Sequence, residues 1–193
     1  MTREFPPRVY GGAGVHVEHL AQAMARLADV EVKCFGERGP AEGNPRVTGY
    51  LDRDPIFEGN PDPAREALQA VGTSLRFNAR PPAADVVHCH TWYSHLGGVL
   101  SRLAYGLPLV ITVHSLEPLR PWKRERLGRG YDLSTWVERT ALEMADAIIA
   151  VSRRDHDEIV ARFDVRPDRV HVVPNGVDTD VYRPVDGKAT LRE

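Results

Sequence analysis

Four stretches of this chain carry residue types that can meet a polar or charged ligand. Near the start, Gly11-Gly12-Ala13-Gly14 runs into an amphipathic segment. Glycines at a helix start let the backbone approach a ligand closely, and the N–H groups there point at negative charge. Val87-His88-Cys89-His90 and Thr112-Val113-His114-Ser115 each carry an apolar run into a histidine. The C-terminal ends of strands are where open α/β sheets bind ligands, which singles out His90 and His114. Near the far end, Pro174-Asn175-Gly176-Val177-Asp178 makes a polar turn whose Asn-Gly pair suits positive φ.

Each stretch also has a plainer reading. The glycines could form only a tight turn into a helix. Glu4 and Arg3, on the same rim, are equally well read as a solvated charge pair. His88 lies deeper in its strand and reads as a satisfied core histidine. His88 and His90 share a face of the strand; a metal would need at least one more ligand, none stands at suitable spacing, and no metal is expected. His114 and Ser115 could position a ligand or cap the strand end. Trp92 could stack on a ligand, but the core reading carries more weight. The basic run Arg120, Lys123, Arg124, Arg126 and Arg129, broken by Glu125, could bind a phosphorylated ligand or an anionic membrane surface. A solvated loop is the heavier reading.

The elements that would position these residues alternate. Apolar spacing predicts helices over 14–27, 63–78 (entered through Asp62), 94–105 (stopped by Gly106), 133–145 and 153–163. Strands are expected over 30–35, 46–51, 85–90, 108–114, 147–151 and 169–173. The run 108–114 is β-branched and near-continuous, as in a strand buried on both faces. Residues 36–44 and 116–130 read as loops. The order implies α/β: a doubly wound, mostly parallel, Rossmann-like sheet. Only Met1-Thr2-Arg3 precedes Glu4, so the central first strand that should carry the glycine loop is expected to be missing or replaced. One domain over 1–185 is expected, with 186–193 starting a linker.

The 193 residues are 42% hydrophobic with a formal net charge of −2, which suits one soluble core and gives no global pull toward nucleic acid. Cys34 and Cys89 sit in strand-like runs and read as buried reduced thiols. No apolar run approaches the roughly 20 residues of a membrane helix, and the start is polar and proline-broken, so a cytoplasmic protein is expected.

Glu4-Phe5-Pro6-Pro7 with Gly11-Gly12-Ala13-Gly14-Val15-His16, the two histidine strands, and Val172-Val173-Pro174-Asn175-Gly176-Val177-Asp178 with Tyr182-Arg183-Pro184 stand in an order that resembles one family. It is the N-terminal domain of retaining glycosyltransferases of the glycogen-synthase-like family, which have the two-domain GT-B fold. His114-Ser115-Leu116-Glu117-Pro118-Leu119-Arg120-Pro121-Trp122-Lys123 is most similar to actinobacterial glycogen synthases. The resemblance implies glucose transfer from ADP-glucose or UDP-glucose to an α-1,4-glucan or to glucose 1-phosphate, with the nucleotide sugar a substrate and no cofactor. His90 would face the transferred sugar as an orienting group. Gly11, Gly12 and Gly14 would contact the donor phosphate or sugar. Glu4, Trp92, His114, Ser115 and Asn175 would position acceptor or sugar, and Arg120, Lys123 and Arg124 would meet a phosphorylated acceptor. The donor-binding second domain, with its Glu-x7-Glu motif, is expected to be absent, leaving the chain inactive alone.

Three rivals stay open: a non-catalytic glycan-binding module, a membrane-associated mannosyltransferase domain, and a Rossmann oxidoreductase. The oxidoreductase ranks low because Val17 stands where the third glycine of Gly-x-Gly-x-x-Gly belongs. A membrane surface is the less favoured partner.

Overall fold

The computed structural model describes residues 1–36, 38–41, 43–51, 53–180 and 182–184. The linker expected over 186–193 and the boundary at 185 lie outside the described residues. Among the described residues seven strands run in the order β2-β3-β1 and β4-β5-β6-β7: β1 Glu31–Phe35, β2 Arg38–Ala41, β3 Arg46–Tyr50, β4 Val87–His90, β5 Leu109–Val113, β6 Ala147–Ala150 and β7 Val170–Val172. All pair in parallel except β2, which runs antiparallel to β3. The fold is therefore the doubly wound α/β sheet that the alternation implies.

The two strand groups meet at the chain start. Thr2 makes parallel bridges to both Cys34 of β1 and His90 of β4. Its N–H donates to Lys33 O at 3.0 Å, and the His90 N–H donates to Met1 O at 3.1 Å. Two residues thus hold the central position in the sheet, and the chain leaves it directly into Glu4 and the glycine loop.

Helices flank the sheet: α1 Gly12–Met24, α2 Arg65–Phe77, α3 Trp92–Tyr105, α4 Lys123–Leu127, α5 Gly130–Met144 and α6 Arg153–Arg162. The principal core joins β4–β7 to α3, α5 and α6 through Leu109, Ile111, Ile148, Leu142 and Ile159. A smaller one joins α1 to β1 and β3 through Val17, Ala21, Val32 and Val47. Strand β5 is almost wholly buried, as its continuous apolar run requires. Helix α3 ends at Gly106, which takes φ 69 and donates its N–H to Arg102 O.

Two loop expectations need correction. Within 36–44 the chain forms β2, because β3 offers a free edge for pairing. Within 116–130 lie a 3-10 turn, Glu117–Leu119, and helix α4. Cys34 and Cys89 are buried and not joined in a disulfide. Among the described residues no helix is long and apolar enough to cross a membrane.

Candidate functional site

A crevice of about 990 Å³ opens at the C-terminal ends of the parallel strands. The loop after Thr2 lines it with Glu4, Gly11, Gly12 and Ala13; the segment after β4 with Thr91 and Trp92; that after β5 with His114 and Ser115. Arg120, Lys123 and Arg126 come from the basic stretch, and Asn175 from the chain after β7. Residues scattered over most of the sequence therefore converge on one mouth.

The glycine loop is built differently from the sequence expectation. Glu4 Oε2 accepts the N–H groups of Tyr10 (2.8 Å) and Gly11 (2.9 Å), and so folds the loop onto its own carboxylate. Glu4 is not paired with Arg3, which instead meets Glu66 at 3.1 Å. The Gly11 amide is thus taken, and the Gly14 N–H is spent on Gly11 O. Gly14 does not line the crevice; a Cβ there would stand 2.8 Å from Glu4 Oε2 and 2.9 Å from Val9 Cγ1, so its role is close packing. The N–H groups left without an acceptor among the described residues are those of Gly12 and Ala13, at the positive end of α1.

His90 does not reach the crevice. It is 4% exposed and lies one layer behind His114, with its Nδ1 3.2 Å from His114 Nε2. The His16 ring, from the first turns of α1, sits 5.7 Å from His90 and 4.8 Å from His114. His88 is the satisfied histidine, its Nε2 2.7 Å from Thr112 Oγ1. Burial drives the pKa of His88 down to about 3 and of His114 to about 4, and lowers those of His16 and His90, with neighbouring imidazoles adding to the effect for all but His16. At neutral pH the cluster is uncharged, so it can donate and accept hydrogen bonds without adding positive charge. The sequence offered no third ligand beside His88 and His90, yet the fold brings His16 and His114 to His90 from two other elements.

The basic stretch is not a free cationic patch. Lys123 forms an ion pair with Glu117, both largely buried. Ser134 Oγ donates to Glu117 Oε2 at 3.2 Å, and the Glu117 N–H donates to Glu138 Oε2 at 2.7 Å. Arg124 is held bidentately by Asp132, away from the crevice. Arg120 donates to Ser115 Oγ at 3.1 Å. Trp92 is 3% exposed and stacked on Tyr93, so core packing dominates although one edge meets the crevice. Gly176 is not among the glycines with positive φ, contrary to the turn expected at Asn175-Gly176.

Two features were not singled out from the sequence. Arg3 lies over the Tyr93 ring at 3.8 Å, and both Arg3 and Arg126 pair with the one carboxylate of Glu66, which also accepts the Tyr93 hydroxyl. Two guanidiniums on one acid leave a surplus positive charge on the crevice wall. Thr91 takes φ 63 and ψ 152, and its buried Oγ1 has no partner among the described residues. Such a conformation costs about 1–3 kcal/mol for a non-glycine residue and tends to mark sites held by their surroundings. A pairing across 60 residues and a strained threonine leave no local pattern to read.

Residues 10–181 match Glycosyltransferase Family 4. The chain belongs to that family. Among curated relatives, the α-maltose-1-phosphate synthase of Mycolicibacterium smegmatis is 50% identical over 188 residues, covering 96% of this chain and 46% of that protein. The D-inositol 3-phosphate glycosyltransferase of Streptomyces avermitilis is 31% identical over 201 residues, covering 94% and 41%. The chain spans about half the length of the curated relatives it matches. The sucrose-phosphate synthase of Thermosynechococcus elongatus superposes with a TM-score of 0.70 at 17% identity, covering 95% of this chain and 47% of that one. The fold of this Family 4 chain is the Rossmann-like N-terminal half of a GT-B glycosyltransferase.

Proposed function

We propose that this Family 4 domain forms the acceptor-side half of a retaining hexosyltransferase that moves glucose from ADP-glucose or UDP-glucose to glucose 1-phosphate, yielding maltose 1-phosphate. An α-1,4-glucan is the alternative acceptor. The observation that carries this reading is the convergence of the Gly12 and Ala13 amides, His114, Ser115 and the surplus charge of Arg3 and Arg126 on one crevice. A neutral glucan has no use for that charge, whereas a sugar phosphate does. The 50% identity to an α-maltose-1-phosphate synthase supports the same choice.

In this reading the amides at the start of α1 stabilise negative charge that grows on the leaving diphosphate as the glycosidic bond breaks, without a metal. His114 donates or accepts a hydrogen bond at a sugar hydroxyl as a neutral imidazole. His90 is a positioning residue that fixes the His114 ring from behind. The protein would work in the cytoplasm, and a second domain would supply most of the nucleotide contacts and close over the crevice to exclude water. Acidic partners on Lys123 and Arg124 take up two charges of the basic stretch that an anionic membrane would need, which disfavours the membrane-associated mannosyltransferase.

Calorimetric titration of this chain with glucose 1-phosphate, glucose and maltodextrin tests the reading. Glucose 1-phosphate should bind more tightly than glucose, and Arg126→Glu should weaken it by about tenfold, the scale of one lost charge-assisted contact. Arg126 is the clean choice because Lys123→Glu would also break a buried ion pair. Maltodextrin binding with no preference for the phosphate would favour a glycan-binding module, and no binding by any of the three would remove the acceptor role.

A further inference from the structure

The three imidazoles that meet beneath the crevice have a second use. His16, His90 and His114 each offer one ring nitrogen, and the three nitrogens lie within 4.8 Å of one another. His90 Nδ1 and His114 Nε2 are 3.2 Å apart. Two nitrogens bound to one tetrahedral zinc at roughly 2.0–2.1 Å stand about 3.3 Å apart, so this pair is already at ligand spacing. His16 Nε2 is buried and has no hydrogen-bond partner among the described residues, so a lone pair or N–H there is unspent. We propose that His16, His90 and His114 form a binding site for a divalent transition-metal ion of the zinc class.

The arrangement suits such an ion in three further respects. The ligands come from three rigid elements: the first turns of α1, the last residue of β4 and the residue after β5. Nitrogens up to 4.8 Å apart have to close to about 3.3 Å, so binding draws the half-buried His16 ring toward the other two. A neutral imidazole can move its N–H to the other ring nitrogen, which frees both nitrogens of the His90–His114 contact as lone pairs, and turning the rings toward a shared ion completes the change. Three histidines leave a fourth position, which His114, as a crevice-lining residue, places toward solvent; this is the open geometry of three-histidine metal sites. The all-nitrogen set selects Zn2+, Co2+, Ni2+ or Cu2+ and offers nothing to Mg2+ or Ca2+, which require oxygen.

The test uses the tag-free chain titrated with Zn2+, and with Co2+ as a coloured stand-in. We expect one ion per chain, a visible cobalt spectrum of four- or five-coordinate type, no thiolate charge-transfer band, and a Tm that rises with Zn2+ and falls back on chelation. His16→Gln should weaken binding by about tenfold or more and abolish the Tm rise, while its Tm without metal stays close to that of the parent chain. His114→Gln should act likewise. His19→Gln and His171→Gln, at exposed positions, should bind as the parent does. Absence of stoichiometric binding would overturn the proposal, as would binding that survives both His16→Gln and His114→Gln. A thiolate band would also overturn it, by assigning the ion to Cys34 or Cys89. With an ion bound, His114 would coordinate it in place of the sugar contact proposed above; no sugar phosphate enters these readouts, so failure of one reading is distinguishable from failure of the other.

Discussion

Inside α5, Glu138 is 2% exposed, and burial pushes its carboxyl up to about 8 from an ordinary 4.5. The folded protein therefore holds a proton there that the unfolded chain releases between those two values. Stability from this group is complete below about pH 4.5 and is lost as pH rises through 8. Glu138→Gln keeps an oxygen to accept the Glu117 N–H without the ionisation. We expect the variant to retain its Tm from about pH 5 to 8 while the parent loses stability on the order of a few kcal/mol, or roughly 5–10 °C. Parallel pH profiles for the two proteins would refute this. Thr91 gives a second expectation at the same scale: Thr91→Gly removes the strain at φ 63 and should raise stability by about 1 kcal/mol by urea denaturation. A loss would show that the threonine methyl packs for more than the strain costs. Individual residues are the hardest part of this molecule to read from sequence. His114 and the glycine loop are recognisable because a strand end or helix start announces itself in an apolar pattern. The burial of His90 behind His114, and the capture of the Gly11 amide by Glu4, depend on side-chain placement that spacing does not encode.

At the level of elements, helix α3 shows how closely the layers are fitted. A Cβ on Gly98 would stand 2.5 Å from Leu109 Cδ1 and 2.6 Å from Cys89 Sγ, against the two central strands β4 and β5. Gly98→Ala should therefore cost more than the overpacking norm of about 1–3 kcal/mol, despite the better helix propensity of alanine. Gly106→Ala, with open space but φ 69, should cost only about 1 kcal/mol. Chemical denaturation that ranks the two in the opposite order would contradict the packing argument. The helices and parallel strands are legible in the sequence because each carries its own period, and their ends differ from expectation by only a few residues. Strand β2, which pairs antiparallel with the strand that follows it, escapes because its sequence Arg38-Gly39-Pro40-Ala41 has poor strand propensity. Helix α4 escapes because five charged and apolar residues are too few for a periodicity to stand out.

Across the whole molecule, the β1–β3 unit and the β4–β7 unit are joined within the sheet by the short span Met1–Thr2, with α2 packed on α3 as a second link. Lys33 adds a third, its Nζ donating to Phe77 O at the C-terminal end of α2. Sheet continuity through two residues should make cooperativity unusually sensitive at that point. All three tryptophans, Trp92, Trp122 and Trp136, lie in the β4–β7 unit, so their fluorescence follows that unit while far-UV circular dichroism follows both. Thr2→Pro deletes the N–H that donates to Lys33 O. In this variant the circular dichroism transition should begin at lower denaturant than the fluorescence transition, whereas the parent chain should show one coincident curve. Thr2→Ala keeps the backbone donor and loses only the hydroxyl contact to Glu4 O, so its two curves should stay together. If Thr2→Pro also unfolds in one coincident step with an unchanged midpoint, the helical layer alone couples the two units, and the crevice between the glycine loop and His114 is held together by packing rather than by the sheet.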